Sequence, residues 1–182
     1  STEVVAQIRE TISDGFPTFK VFTTNVWPTS RMKGEERLVG MGLLSAMMEQ
    51  TSRNSGLMLV HSEDDDIVQF MYNHLVETAR TDWWNIHEVH NNMSEDISFR
   101  RVLRVSEWKN AATYFVHISA KEGVDAVKEA RASGMPIYGE TLHNYLSFIS
   151  DNYKEPDGMK YHTYPSLKSE VDQAALWNGV LK

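Results

Sequence analysis

Short β-branched or aromatic runs alternate with longer amphipathic stretches along the whole sequence, and this alternation points to a parallel α/β architecture. The runs Thr18–Thr24 (TFKVFTT), Leu57–His61 (LMLVH), Thr113–His117 (TYFVH) and Pro136–Gly139 (PIYG) read as strands. Between them, helices are predicted over 2–13, 35–52, 65–80, 94–110 and 121–133, with a last one over 169–180. Leu38, Met41, Leu44 and Met48 recur at helical spacing in the second of these. Asn54-Ser55-Gly56 and Gly134 supply stop signals. Four strands are half of an eightfold barrel or most of a small open sheet, and a chain of 182 residues is compatible with either.

Composition narrows the function. The formal net charge of −7 argues against a nucleic-acid partner, which needs a concentrated basic surface. The absence of cysteine excludes disulfides and thiolate metal sites, and fits a cytoplasmic location. No apolar run approaches the roughly 18 residues of a membrane-spanning helix, so no membrane partner is expected. The opening Ser1-Thr2-Glu3 has neither an initiator Met nor a signal pattern, and both ends read as cuts through a longer chain.

Three residues carry the chemistry. His61 and His117 each fall at the last position of a predicted strand, the end where parallel α/β folds assemble their sites. Imidazole is the commonest ligand of divalent metals, so two such residues on neighbouring strands could share an ion. A strand-end His bonded to a loop carbonyl is the plain structural alternative. Lys20 lies in mid-strand between Phe19, Val21 and Phe22. The plain alternative is an alternating strand with Lys20 reaching solvent by its stem, against which a parallel sheet covered on both faces offers an ammonium little solvent. One chemical reason for a lysine there is carbamylation by carbon dioxide, which converts the amine into a carboxylate able to bridge two metal ions. His74, His87, His90 and His162 read as structural or surface residues, and His143 as a helix start. The run Glu63-Asp64-Asp65-Asp66 reads as a helix N-terminus, with a second possible role beside His61.

The segments FPTFKVF (16–22), VHSE (60–63), VHIS (116–119), GMPIYGET (134–141) and DQAALW (172–177), in this order, resemble the dihydropyrimidinase and D-hydantoinase family of the amidohydrolase superfamily. The resemblance runs over nearly the whole chain. It implies a (β/α)8 TIM barrel, of which residues 1–182 supply about the fourth to seventh βα units as the central part. The first three strands, the last strand and the family's β-sandwich would lie outside. It also implies two divalent metal ions, zinc as a rule, with Lys20 as the carboxylated bridging residue and His61 and His117 as ligands. A metal-bridging hydroxide would attack the carbonyl of a cyclic amide such as a hydantoin or dihydropyrimidine. The family's His-x-His pair and catalytic Asp do not occur here, so these residues alone are not expected to catalyse. A homo-oligomer, tetramer or dimer, is implied for the whole protein.

Two departures bear on substrate. Asn25 stands where hydantoinases commonly have a Tyr, and its amide could still donate a hydrogen bond; Trp27 could add aromatic bulk. Tyr164-Pro165-Ser166-Leu167 stands for the family's Ser-Pro-Pro-Leu, with Tyr164 replacing the Ser. A non-catalytic scaffold relative and a self-contained open-sheet binding module remain as competing readings.

Overall fold

The structure is a computed structural model that describes residues 2–25 and 38–181. Its four strands are β1 (Thr18–Phe22), β2 (Leu57–His61), β3 (Thr113–Phe115) and β4 (Ile137–Gly139), paired in parallel in the order β1-β2-β3-β4. The helices are α1 (Thr2–Ser13), α2 (Met41–Arg53), α3 (Asp65–Glu77), α4 (Ile86–Val89), α5 (Asn92–Lys109), α6 (Lys121–Ala132), α7 (His143–Ser147) and α8 (Glu170–Val180). Sequential strands lie side by side, each joined to the next by a helical crossover.

The sheet register divides the strand residues into two faces. Phe19, Met58, Thr113 and Ile137 are aligned across the sheet, as are Val21, Val60, Phe115 and Gly139. These two rows share one face, since side chains alternate along a strand. They carry the buried core: Met58, Val60, Phe115 and Ile137 are fully buried, packed with Leu44 and Met48 of α2 and Phe99 and Val102 of α5. The Phe99 and Phe115 rings stack at 4.1 Å between centroids.

The opposite face carries Lys20, Leu59, Tyr114 and Tyr138 in one row, with Phe22 and His61 in the next. It is open, and Tyr138 is 47% exposed. Among the described residues the helices cover one face of the sheet, and Lys20 lies exposed on the other.

Local chemistry explains the element ends. Asp64 accepts from the Ile67 N–H at the start of α3, Asn91 from the Ser94 N–H at the start of α5, and Ser169 exchanges hydrogen bonds with Asp172 at the start of α8. Asn110 ends α5 in the left-handed region, at φ 48°, where Asn is among the few tolerated side chains. Two predicted strands end early, at Phe22 and Phe115 rather than Thr24 and His117. The predicted helix over 35–52 is observed as Met41–Arg53; residues 35–37 lie outside the described residues, as does Trp27. Among the described residues no helix is long and apolar enough to cross a membrane.

Candidate metal centre

His61 closes β2, whereas His117 lies two residues beyond β3 in a left-handed conformation, φ 42°. That conformation is costly for a side-chain-bearing residue and persists only where neighbours enforce it. Here they do: the Val116 N–H donates to the Val60 carbonyl and the Ile118 N–H to the Glu140 carbonyl. Just beyond, the Ser119 and Ala120 N–H groups and the Ser119 hydroxyl all donate to the buried carboxylate of Glu95. The backbone reversal turns the His117 ring toward β2. His61 Nδ1 and His117 Nε2 come within 2.9 Å, and the rings meet edge to face at 4.6 Å.

Behind His61 stands Glu63. One carboxylate oxygen lies 2.9 Å from His61 Nε2 and the other 2.8 Å from His90 Nδ1. Burial by itself would raise the Glu63 carboxyl, but the electrostatic interaction with His90 and the hydrogen bonds from both rings outweigh it and hold the group well below the usual carboxylate range. His90 is fully buried and reaches the Tyr72 hydroxyl at 3.3 Å through Nε2. His117 is pushed down to about 3, first by burial and then by His61 and Lys20, so it is neutral at physiological pH, as a metal ligand must be.

Lys20 shares the open face with His61. Its ammonium lies 5.2 Å from the centre of the Phe22 ring, and burial of its surroundings lowers its pKa against the opposing pull of Glu140. Tyr164 covers the site from the side, its ring stacked on His61 at 5.3 Å and edge-on to His90 at 4.4 Å. Its hydroxyl lies 3.4 Å from the Asn25 carbonyl, and burial raises its pKa well above the ordinary tyrosine value. The loop carrying it is anchored by the Tyr145 hydroxyl, which donates to the Pro165 carbonyl. Asn25 is buried; its backbone N–H and its side-chain amide both donate to Asp65.

Of the residues singled out in the sequence, His61 and His117 come together, and Lys20 lies in the same field on the same face. Asn25 and Tyr164 meet beside them. Three groups were not assigned to the site by sequence reasoning. Glu63 carried a signal, being a carboxylate two residues after a strand-end His. His90 and Glu95 carried none, because their burial and partners arise from chain segments distant in sequence. His143 is the first residue of α7, as expected of a helix start.

Among the described residues no three His, Cys, Asp or Glu side chains form a group that would hold a metal ion. The donor set present is a pair of imidazole nitrogens converging on one point, with the distal nitrogen of one ring held by a carboxylate. That arrangement fits two positions of a divalent-metal site and the outer contact that orients one of them. A lysine on the same face would offer a further donor if converted to a carbamate.

Consecutive parallel βα units, with a site gathered beyond the carboxyl ends of adjacent strands, define the class: a portion of a parallel α/β barrel. No family model matches the chain. It is 33% identical over 141 residues to the D-hydantoinase of Streptomyces coelicolor, an alignment covering 76% of this chain and 30% of that one. A solved D-hydantoinase superposes with a TM-score of 0.89 at 22% identity, over 99% of this chain and 38% of that one. The dihydropyrimidinase of Brevibacillus agri gives 0.88 at 23% identity, over 98% and 38%. The chain belongs to the dihydropyrimidinase and D-hydantoinase family, and its four βα units are a portion of a (β/α)8 barrel. It spans well under half the length of these relatives, between 30% and 38%.

Proposed function

We propose that the protein hydrolyses the ring amide of a cyclic ureide or imide, a hydantoin, a dihydropyrimidine or a related ring, at a divalent-metal centre to which this chain contributes Lys20, His61 and His117. The observation that carries this reading is the 2.9 Å approach of His61 Nδ1 to His117 Nε2 on the open face that also bears Lys20. Two imidazoles brought this close, one of them through a left-handed backbone residue, are what a shared ion requires. Two bound divalent ions, zinc by the family resemblance, would supply an activated water and polarise the ring carbonyl.

In this reading Lys20 acts as its carbamate. Its neutral amine attacks carbon dioxide, a C–N bond forms, and the proton released passes to solvent, leaving an anionic bridging ligand. His61 and His117 would each offer a metal ion the nitrogen that now faces the other ring. Tyr164 and Asn25 line the substrate side, where the Tyr164 ring narrows the approach to His61 and limits water. Residues 1–182 form the central part of the barrel, and the whole protein is a cytoplasmic homo-oligomer.

The test is Lys20→Ala in the full-length protein. Zinc content should fall, and turnover of hydantoin and dihydrouracil should drop by at least about three orders of magnitude, as expected when a group essential to activating the nucleophile is removed. Full activity in that variant overturns the proposal.

A further inference from the structure

We infer that His90 and Glu63 form a positioning pair that fixes which nitrogen of His61 faces the metal; this rests on the metal-centre reading above. Glu63 has a side chain only 1% exposed, and its two oxygens are divided between two rings, His61 Nε2 at 2.9 Å and His90 Nδ1 at 2.8 Å. An ionised carboxylate only accepts hydrogen bonds, so both of those nitrogens present N–H. With its proton on Nε2, the neutral His61 ring has its lone pair on Nδ1. Nδ1 is the atom that meets His117 Nε2 at 2.9 Å. The proton between these two nitrogens belongs to the neutral His117 ring, and it would have to move to His117 Nδ1 for Nε2 to take a metal ion.

His90 is held in turn. Its Nε2 accepts from the Tyr72 hydroxyl at 3.3 Å, leaving Nδ1 as its donor to Glu63. Ser166 donates to the His90 carbonyl at 3.2 Å, and the neighbouring Tyr164 ring packs on both histidines. The hydrogen bonds therefore run in one direction, Tyr72 to His90 to Glu63, with His61 donating to the same carboxylate from the other side. No member can reverse without leaving a buried donor or a buried charge unmatched. His90 does not reach the metal side of His61. It acts through Glu63, holding the carboxylate in the one rotamer that pins His61.

The experiment uses the full-length protein and the variants Glu63→Gln, His90→Leu and His90→Gln. Zinc affinity is measured by competition with a chromophoric chelator, and the visible spectrum of the cobalt-substituted protein reports ligand geometry, with thermal melts alongside. Glu63→Gln and His90→Leu should weaken zinc binding by roughly 10- to 100-fold and alter the cobalt bands. His90→Gln retains an N–H able to reach Glu63 and should recover most of the affinity and the native spectrum. Wild-type affinity and an unchanged cobalt spectrum in Glu63→Gln overturn the inference while leaving the metal centre intact. If His90→Leu fails to fold, Glu63→Gln and His90→Gln decide the matter. A wild-type protein that binds no zinc overturns the underlying reading and the positioning pair with it.

Discussion

Glu95 illustrates how much a single buried carboxylate organises. It accepts from the Ser119 N–H, the Ser119 hydroxyl and the Ala120 N–H, and so fixes the turn that follows His117. Burial raises its pKa, against the opposing pull of Lys168 and of these donors. Lys168 is also buried; its ammonium donates to the Ser166 carbonyl, and burial lowers its pKa. For a carboxyl whose folded pKa exceeds its unfolded value, the folded state binds the proton more tightly. The resulting stability is complete below the unfolded pKa and is lost as pH rises through the folded one. Between the ordinary value of 4.5 and its raised value, Glu95 therefore makes stability fall with rising pH. In Glu95→Gln that component should be missing, which urea melts across this range would detect. An identical pH slope in variant and wild type would contradict it.

At the scale of elements, the packing of α5 against α6 sets the position of the His117 turn. Gly123 in α6 faces Glu95 so closely that a Cβ there would meet its Oε1 at 2.5 Å and Ile118 Cγ2 at 2.9 Å. Gly123→Ala should destabilise by about 1–3 kcal/mol through overpacking. In the full-length protein it should also weaken metal binding, because Glu95 is displaced from Ser119. Denaturant melts and zinc titration test the two effects separately; wild-type values in both would show that the helices yield freely.

Much at this scale was legible beforehand. The four strands, the helix over 2–13 and the acidic start of α3 follow from β-branched runs, helical periodicity and capping residues. Strand ends were less legible: Thr23 and Thr24 are β-formers, yet Thr23 bonds to the Glu63 carbonyl and Thr24 to Asp65. Beyond one backbone bond from the Thr23 N–H to the His61 carbonyl, these side-chain bonds tie the chain to the β2–α3 loop and the first residue of α3.

For the whole molecule, the two faces of the sheet decide behaviour. One is sealed by helices; the other presents Lys20, Leu59, Tyr114 and Tyr138. Beside β4 a cavity of about 770 Å³ is lined by Tyr138, Val127, Leu146 and Leu176 among others. Among the described residues, β1 and β4 each have one unpaired edge. Open parallel edges beside apolar surface template association. The 182-residue chain alone should therefore self-associate with increasing concentration, as measured by sedimentation velocity. A monodisperse monomer at every concentration would show that these edges do not template association.

The sequence by itself determined the alternation of strands and helices, the family resemblance, and the histidine that closes β2. These depend on local propensity, spacing and residue identity, which a linear chain displays directly. It did not determine the partners. That His61 faces His117, that Glu63 is shared with a His 27 residues away, and that His117 is held left-handed by Glu95 are outcomes of packing. So is the placement of Lys20 on the sheet face that the helices leave uncovered. Such contacts are set by long-range burial and by the requirement that every buried polar group find a match, and only the folded chain brings those groups together.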